Sequence, residues 1–356
     1  MIAVFLKTIF YKLFYLFGWP RIMPINYTLG ISCVCNSRCK TCNIWKKKLD
    51  ELKIDEWEKI LRNIGQGPYW VTISGGEPFL QNHLADLVRL TVFYLKPKII
   101  NIPTNGILTE KIIAQTKRIC EENKKVNIVI NVSLDAMNEK HDQIRGVEGN
   151  FEKLIKTYQG LKSLNLKNLT VGLHSVISKY NFTQLPQLFD YVLNDLKPDQ
   201  YITEIAENRK ELDNLEFDIT PSSDDYNKII NLLINKIKEK KFKGVGRITE
   251  AFRLEYYQLV KKFLKEKKQP IPCYAGITSA QVSADGEVWP CCIRADNLGN
   301  LRDNNYDFKK IWFSEKAKAV RKSIKNQECA CPLANASYTN MLCHYQTLFK
   351  VINHLK

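Results

Sequence analysis

Between residues 24 and 205, short β-rich runs alternate with amphipathic runs, and this alternation restricts the chain to one kind of architecture. Strand-like runs fall at 26–31, 70–73, 98–102, 127–134, 169–176 and 200–204, with helical periodicity at 55–64, 82–94, 110–121, 151–161 and 184–194 between them. Repeated β-α units predict a parallel sheet with helices outside it. The expected fold is α/β, a partial (β/α)6 TIM-like barrel, in which chemistry collects on the loops that follow the strands.

The unusual residues lie on those loops. Cys35-Asn36-Ser37-Arg38-Cys39-Lys40-Thr41-Cys42 follows the first strand, Ser74-Gly75-Gly76-Glu77-Pro78 the second and Thr104-Asn105-Gly106 the third, and Ser133-Leu134-Asp135 ends the fourth. Thiolates are the natural ligands of iron–sulfur clusters, and three on a cubane leave one iron open to a small molecule. That iron can chelate an amino group and a carboxylate. Gly75 and Gly76 permit close backbone approach, and Glu77 can accept a hydrogen bond from a bound ammonium. The competing readings are a zinc knuckle for the cysteines and a plain strand-to-helix turn for the glycines. Cys33 reads as a buried small residue.

The 11 cysteines cluster at 33–42 and 273–343, with only Cys120 between. A secreted disulfide protein would spread them, so they read as metal ligands in a reducing, cytoplasmic compartment. The net charge of +16 gathers partly in Lys236, Lys238, Lys240, Lys241, Lys243 and Arg247, and in Lys261, Lys262, Lys265, Lys267 and Lys268. Such stretches suit an acidic partner or a solvated helix face. Residues 1–19 are apolar and aromatic but are broken by Lys7 and Lys12 and closed by Pro20 and Arg21. They are too interrupted to span a bilayer and suit a helix lying at the inner membrane surface, or one docked on the protein.

Past residue 205 the alternation fails. Residues 228–241 and 248–268 read as basic helices, and Pro270 and Pro272 precede Cys273. The rest holds six cysteines and the hairpin signal Ser283-Ala284-Asp285-Gly286-Glu287. The divisions expected are an apolar helix at 1–23, the barrel core at 24–205, a basic helical connector at 206–268 and a small cysteine-rich domain at 269–356.

The three-cysteine loop, Gly-Gly-Glu-Pro, Thr-Asn-Gly and Ser-Leu-Asp, in that order over residues 24–205, resemble the radical S-adenosylmethionine (radical SAM) superfamily. The resemblance implies a [4Fe-4S] cluster held by Cys35, Cys39 and Cys42. It also implies reductive cleavage of S-adenosylmethionine to a 5′-deoxyadenosyl radical, and hydrogen abstraction from a substrate. It implies cofactor contacts at Gly75, Gly76, Glu77, Asn105, Ser133, Asp135, Ser175 and Val176, and a one-electron reductant such as a flavodoxin or ferredoxin. His141 and Arg145 fall in a stretch that looks like the family's loop after the fourth strand, where Arg145 can pair with an anion. Cys273, the Gly286–Cys291 stretch, Cys329 and Cys331 resemble the SPASM or shorter twitch extension. The implication is one auxiliary iron–sulfur cluster on Cys273, Cys291, Cys329 and Cys331, with Cys292 or Cys343 as substitutes and a zinc site as the alternative.

No catalytic acid is assigned; Tyr274, His174 and Cys343 are the candidates. For the substrate, only about 24 residues precede the barrel, which argues against a peptide-leader domain, and no appended RNA-binding module is evident. The apolar N-terminus and basic helices favour a small or lipid-linked molecule over a ribosomal peptide or RNA. A non-catalytic iron–sulfur or zinc protein for electron relay or scaffolding is the alternative function, although it leaves Gly75-Gly76-Glu77 without a purpose.

Overall fold

The computed structural model describes residues 2–239, 244–332 and 334–355. It opens with helix α1 (Ile2–Phe17), and then β1 (Asn26–Gly30), α2 (Ile54–Ile64), β2 (Trp70–Ser74), α3 (Leu84–Leu95), β3 (Ile99–Thr104), α4 (Thr109–Glu122) and β4 (Asn127–Ser133) follow. After α5 (Asn138–Arg145) and α6 (Asn150–Ser163) come β5 (Leu169–Ile177), α7 (Leu185–Asp190) and β6 (Gln200–Ile205). The six strands lie side by side in sequence order, each pairing in parallel with the next. That order is the mark of a rolled βα array rather than a doubly wound sheet, in which the order reverses.

Each strand alternates its faces. Leu29, Val71, Ile73, Ile100, Ile102, Ile130, Leu173 and Tyr201 are buried in the main core with the helices. The opposite face is polar: Asn131 donates to Asn101 (2.7 Å) and accepts from Gln200 (2.9 Å). Gly172 of β5 lies beneath this chain of amides, where a Cβ would stand 2.1 Å from the Asn131 side-chain oxygen. Tight helix packing has the same origin at Gly160 of α6, whose absent Cβ would meet Ile113 of α4 at 2.2 Å.

One expectation fails within this region. Residues 138–145 read as a loop, yet they form α5, stopped by Gly146 at φ +66°. The segment is polar all round, so no apolar stripe marks it in the sequence. It is held from outside: His141 is fully buried, and its Nδ1 accepts the Asp135 amide (3.2 Å).

Beyond β6 come α8 (Ser223–Lys238) and α9 (Gly244–Glu266), which pack on the barrel's flank; Lys240, Lys241 and Lys243 lie outside the described residues. Strand β7 (Ser279–Val282) then pairs in parallel with β1, continuing the sheet on its open side. A turn through Gly286 (φ +88°) leads into antiparallel β8 (Glu287–Trp289), followed by the short β9 (Gly299–Asn300). Arg302 fastens this part to α2 by a two-pronged pair with Glu56 (2.7 and 2.9 Å), a geometry that suits guanidinium and carboxylate. Helices α10 (Phe308–Trp312), α11 (Glu315–Lys325), α12 (Ala334–Cys343) and α13 (Tyr345–Asn353) complete the chain.

Candidate active site at the strand ends

The loop after β1 carries Cys35, Cys39 and Cys42 and is anchored from three sides. Its entry is held by Glu51, which accepts from the Ser32 hydroxyl (2.9 Å) and the Cys33 amide (2.7 Å). Its middle is held by α5, where the carbonyls of Arg145 and Ile144 accept the amides of Arg38 and Lys40 (both 2.9 Å). From β3, the Asn105 side chain donates to Asn36 (2.7 Å) and Ser37 (3.0 Å).

The loop after β2 lies directly on this one. The Gly76 amide donates to the Ser32 carbonyl (2.7 Å) and the Glu77 amide to the Val34 carbonyl (2.9 Å). A Cβ on Gly75 would stand 2.2 Å from the Ser32 oxygen, and one on Gly76 would stand 2.1 Å from the Val34 oxygen. The glycine pair therefore lets two backbones touch. Glu77 is buried, and its carboxylate accepts from the Phe79 amide (3.1 Å), the Thr104 hydroxyl (2.9 Å) and the Asn105 amide (2.7 Å). Burial pushes it up to about 7 in spite of these donors. It thus links the second strand end to the third.

Asp135 does the same between the fourth and fifth. It pairs with Arg145 (2.8 Å) and accepts the Val176 amide (2.8 Å), while Ser175 bonds Leu134 and Tyr201 (2.9 Å to the latter). Ser133 lies buried at the end of β4. The residues named from the sequence on five strand ends are thus brought into one network around the cysteine loop.

The three sulfurs are set up for negative charge. The Ser37 amide points to Cys35 Sγ (3.4 Å), the Ile44 amide to Cys42 Sγ (3.5 Å) and the Arg145 guanidinium to Cys39 Sγ (3.8 Å). Burial meanwhile raises all three thiols, Cys42 to about 12. Donors aimed at sulfurs that burial keeps protonated match a site that is ionised by a bound metal group. Among the described residues no three His, Cys, Asp or Glu side chains group closely enough to hold a single metal ion. A cubane cluster fits this donor set. Cys33 is buried against Ile44 and Ala284.

A second thiol site lies beyond β8. Cys273, Cys291, Cys329 and Cys331 line one cavity with about 380 Å³ of empty space, including its mouth. Arg294 points at Cys329 Sγ (3.7 Å), repeating the arrangement of Arg145 on Cys39. Cys292 and Cys343 do not line this cavity. Cys343 packs with Tyr274 and Ile277 against Tyr11 and Phe14 of α1, near Ile25 at the start of β1. That places Tyr274 and Cys343 away from the strand ends; His174 lies on β5 in register with Ser133 at the end of β4.

The sequence profile of the radical SAM superfamily matches residues 29–192. Residues 29–192 are a radical SAM domain. The profile of the SPASM iron–sulfur cluster-binding domain matches residues 273–332, which include all four cysteines of the second cavity. The enzyme's cofactors are accordingly a [4Fe-4S] cluster, S-adenosylmethionine and auxiliary iron–sulfur chemistry. The chain is 24% identical over 325 residues to the antilisterial bacteriocin subtilosin biosynthesis protein AlbA of Bacillus subtilis, covering 88% of this chain and 66% of that protein. It is 28% identical over 171 residues to the Fe-coproporphyrin III synthase of Methanosarcina barkeri, covering 46% of this chain and 40% of the synthase. The chain thus spans between two fifths and two thirds of the length of these two curated relatives. Among solved structures, Streptococcus suis SuiB bound to S-adenosylmethionine superimposes with a TM-score of 0.63 at 18% identity, covering 84% of this chain and 68% of SuiB. SuiB bound to its precursor peptide SuiA gives 0.62 at 17%, covering 84% and 67%.

Several site residues carried no signal in the sequence. Glu51, Arg209, Glu207 and Asn214 belong to no spacing pattern. Asn214 is buried, accepts the Arg209 amide (2.6 Å) and donates to the Thr41 carbonyl (2.7 Å), tying the loop after β6 to the cysteine loop.

Proposed function

We propose that this radical SAM enzyme modifies a ribosomally made peptide. The observation that carries this reading is the extent of the match to the bacteriocin biosynthesis protein, which covers 88% of the chain, while the porphyrin-synthase match covers 46%. The peptide-bound state of SuiB supports it. It replaces the small or lipid-linked substrate favoured by the apolar N-terminus.

Cys35, Cys39 and Cys42 would hold the [4Fe-4S] cluster, and Cys273, Cys291, Cys329 and Cys331 one auxiliary cluster. With S-adenosylmethionine bound, the first supplies hydrogen-atom abstraction from an unactivated C–H bond. The protein's own contribution is positional. Gly75 and Gly76 bring the second loop onto the cysteine loop, and Glu77 and Asn105 fix that loop to β3. Arg145, held by Asp135, offsets charge on Cys39. Ser133, Ser175 and Val176 would border the nucleotide. The test is anaerobic reconstitution, followed by dithionite, S-adenosylmethionine and the peptide of each short reading frame flanking the gene, tried in turn. A mass change in the peptide with release of 5′-deoxyadenosine is expected; release with an unchanged peptide overturns the substrate reading. A flavodoxin or ferredoxin is the proposed physiological reductant in place of dithionite.

A second reading concerns location. Among the described residues no helix is long and apolar enough to cross a membrane. Yet eight of the twelve exposed large hydrophobic residues fall on two neighbouring segments: Ile9, Phe10, Leu16, Phe17 and Trp19 on and just after α1, and Tyr345, Phe349 and Ile352 on α13. Lys12 lies over the Tyr345 ring (3.3 Å), joining the segments, and Lys325 bonds the Leu16 carbonyl (3.2 Å). Clustered aromatics among lysines suit the surface of an anionic bilayer. Because Tyr11 and Phe14 are buried on the inner face of α1, deleting the helix would uncover the core. Substitution of Phe17, Trp19 and Phe349 by Ser is the cleaner test. Loss of co-sedimentation with phosphatidylglycerol vesicles is expected, and unchanged binding would remove this reading.

A further inference from the structure

The polar residues at the ends of β5 and β6 serve none of the roles assigned so far. In the register of these strands Val176 lies beside Glu204 and His174 beside Ile202. Alternation puts His174 and Glu204 on the face opposite helix-packed Leu173 and Tyr201. Both are about a fifth exposed, so they are reachable from the mouth. Their nearest polar atoms lie 3.7 Å apart, and His174 Nε2 has no hydrogen-bond partner. Arg209 pairs with Glu204 and with Glu207 (both 3.4 Å). Glu207 is the outlier. Its side chain is 7% exposed, and neither carboxylate oxygen has a hydrogen bond.

A buried carboxylate kept only for structure would be satisfied. Here one guanidinium faces two carboxylates, and burial holds His174 toward its neutral form. Acceptor capacity is therefore in surplus, and burial has already pushed Glu207 up to about 7. An incoming N–H donor removes that deficit.

Position supplies the second argument. The loop that carries Glu207 and Arg209 is tied on one side to the first cysteine loop, where the Asn43 amide donates to the Leu212 carbonyl (2.8 Å). On the other side the Glu211 amide donates to the Cys292 carbonyl (3.3 Å) and the Lys210 amide to the Ile293 carbonyl (3.2 Å). The group thus lies between the two thiol sites.

We propose that His174, Glu204, Glu207 and Arg209 form the substrate-recognition group of this enzyme, taking an N–H-donating group of the peptide, a backbone amide or an ammonium, beside the C–H bond attacked. This rests on the peptide reading above. With the reconstituted holoenzyme and the peptide it turns over in the test above, Glu207→Leu lowers kcat/KM by about tenfold or more, chiefly through KM. An ammonium donor makes Glu207→Gln nearly as damaging, whereas a neutral amide leaves Glu207→Gln near wild type; this separates the two sources. Should Glu207→Leu fail to fold, Glu204→Gln, at the more open position, gives a KM rise of about threefold or more. Wild-type KM in the folded Glu207→Leu protein, or in Glu204→Gln where that variant stands in, overturns the proposal.

If the wild-type enzyme turns over no peptide, the peptide reading fails and the site is decided separately, by saturation-transfer NMR with methylammonium and N-methylacetamide. Transfer to either probe in the wild type and its loss in the Glu207 variant, or in Glu204→Gln in its place, supports the site. Equal transfer in both proteins, or none in the wild type, overturns it.

Discussion

The two thiol sites are built in opposite ways. The first takes its cysteines from one loop of eight residues and draws support from the ends of five strands. The second gathers Cys273, Cys291, Cys329 and Cys331 from three separated places in the sequence and encloses a cavity with them. Both aim an arginine at one sulfur, but Arg145 and its partner Asp135 are 12% and 5% exposed, against 23% and 30% for Arg294 and Asp296. The lesson is that a short loop cannot hold three sulfurs in place alone. Its order is borrowed from neighbouring strands, so damage to it spreads further than damage to the second site.

Four experiments press on that contrast. The largest effect comes from the cysteines: Cys39→Ala abolishes substrate-free release of 5′-deoxyadenosine, by at least about a hundredfold, whereas Cys291→Ala lowers it by no more than about tenfold and stops the proposed peptide modification. Equal losses of release would erase the distinction. Next are the glycines. With a Cβ only 2.1 Å from the Val34 oxygen, Gly76→Ala pries the two loops apart and removes iron from the first site. Gly286→Ala, whose nearest neighbour would be 3.2 Å away, costs about 1–2 kcal/mol for its left-handed backbone and spares that iron. Iron analysis and denaturant unfolding read both.

The arginines rank third. Arg145→Met leaves Asp135 charged and buried, a loss of about 3–5 kcal/mol in unfolding free energy. For the half-open pair, Arg294→Met costs about 1 kcal/mol or less. Similar values would mean that burial does not set the difference. Last is the most gradual effect, a pH slope contributed by His141 beside the first site. Burial lowers His141 to about 4, so between about 6.5 and about 4 the unfolded chain binds a proton that the folded one does not. The His141 contribution is therefore fully present above about pH 6.5 and is lost as the pH drops through that window, by up to about 1.4 kcal/mol per unit, while Glu77 and Glu207, pushed up to about 7, contribute with the opposite sign. His141→Gln removes that contribution, read in the apoprotein as a wild-type-minus-variant difference in denaturant midpoint that shrinks from pH 7 to pH 4.

The same contrast governs what could be read in advance. Six strands and their flanking helices were legible because period-two and 3.6-residue patterns are local, and the ends found differ by one or two residues, except that the run at 184–194 forms α7 to Asp190 and then a π-helix at Tyr191–Leu196. The polar helix at Asn138–Arg145 was not, because its order comes from the buried His141 and from bonds to the cysteine loop. Continuation of the sheet by β7 was equally hidden, since strand pairing across some 250 residues leaves no periodic trace. Glu77 was legible as a residue of the site, but its bonds to Thr104 and Asn105 show a linking role that spacing does not reveal.

By itself the sequence determined the parallel βα order, the three-cysteine loop and the glycine pair beside it, since each is encoded in a contiguous stretch. Tertiary structure alone decided that Asp135 and Arg145 support Cys39, that α1 and α13 share one exposed apolar side, and that Glu204, Glu207, Arg209 and His174 meet between the two thiol sites. The reason is physical: local periodicity fixes which face of an element seeks the core, whereas burial and charge pairing depend on which distant elements the fold then brings together.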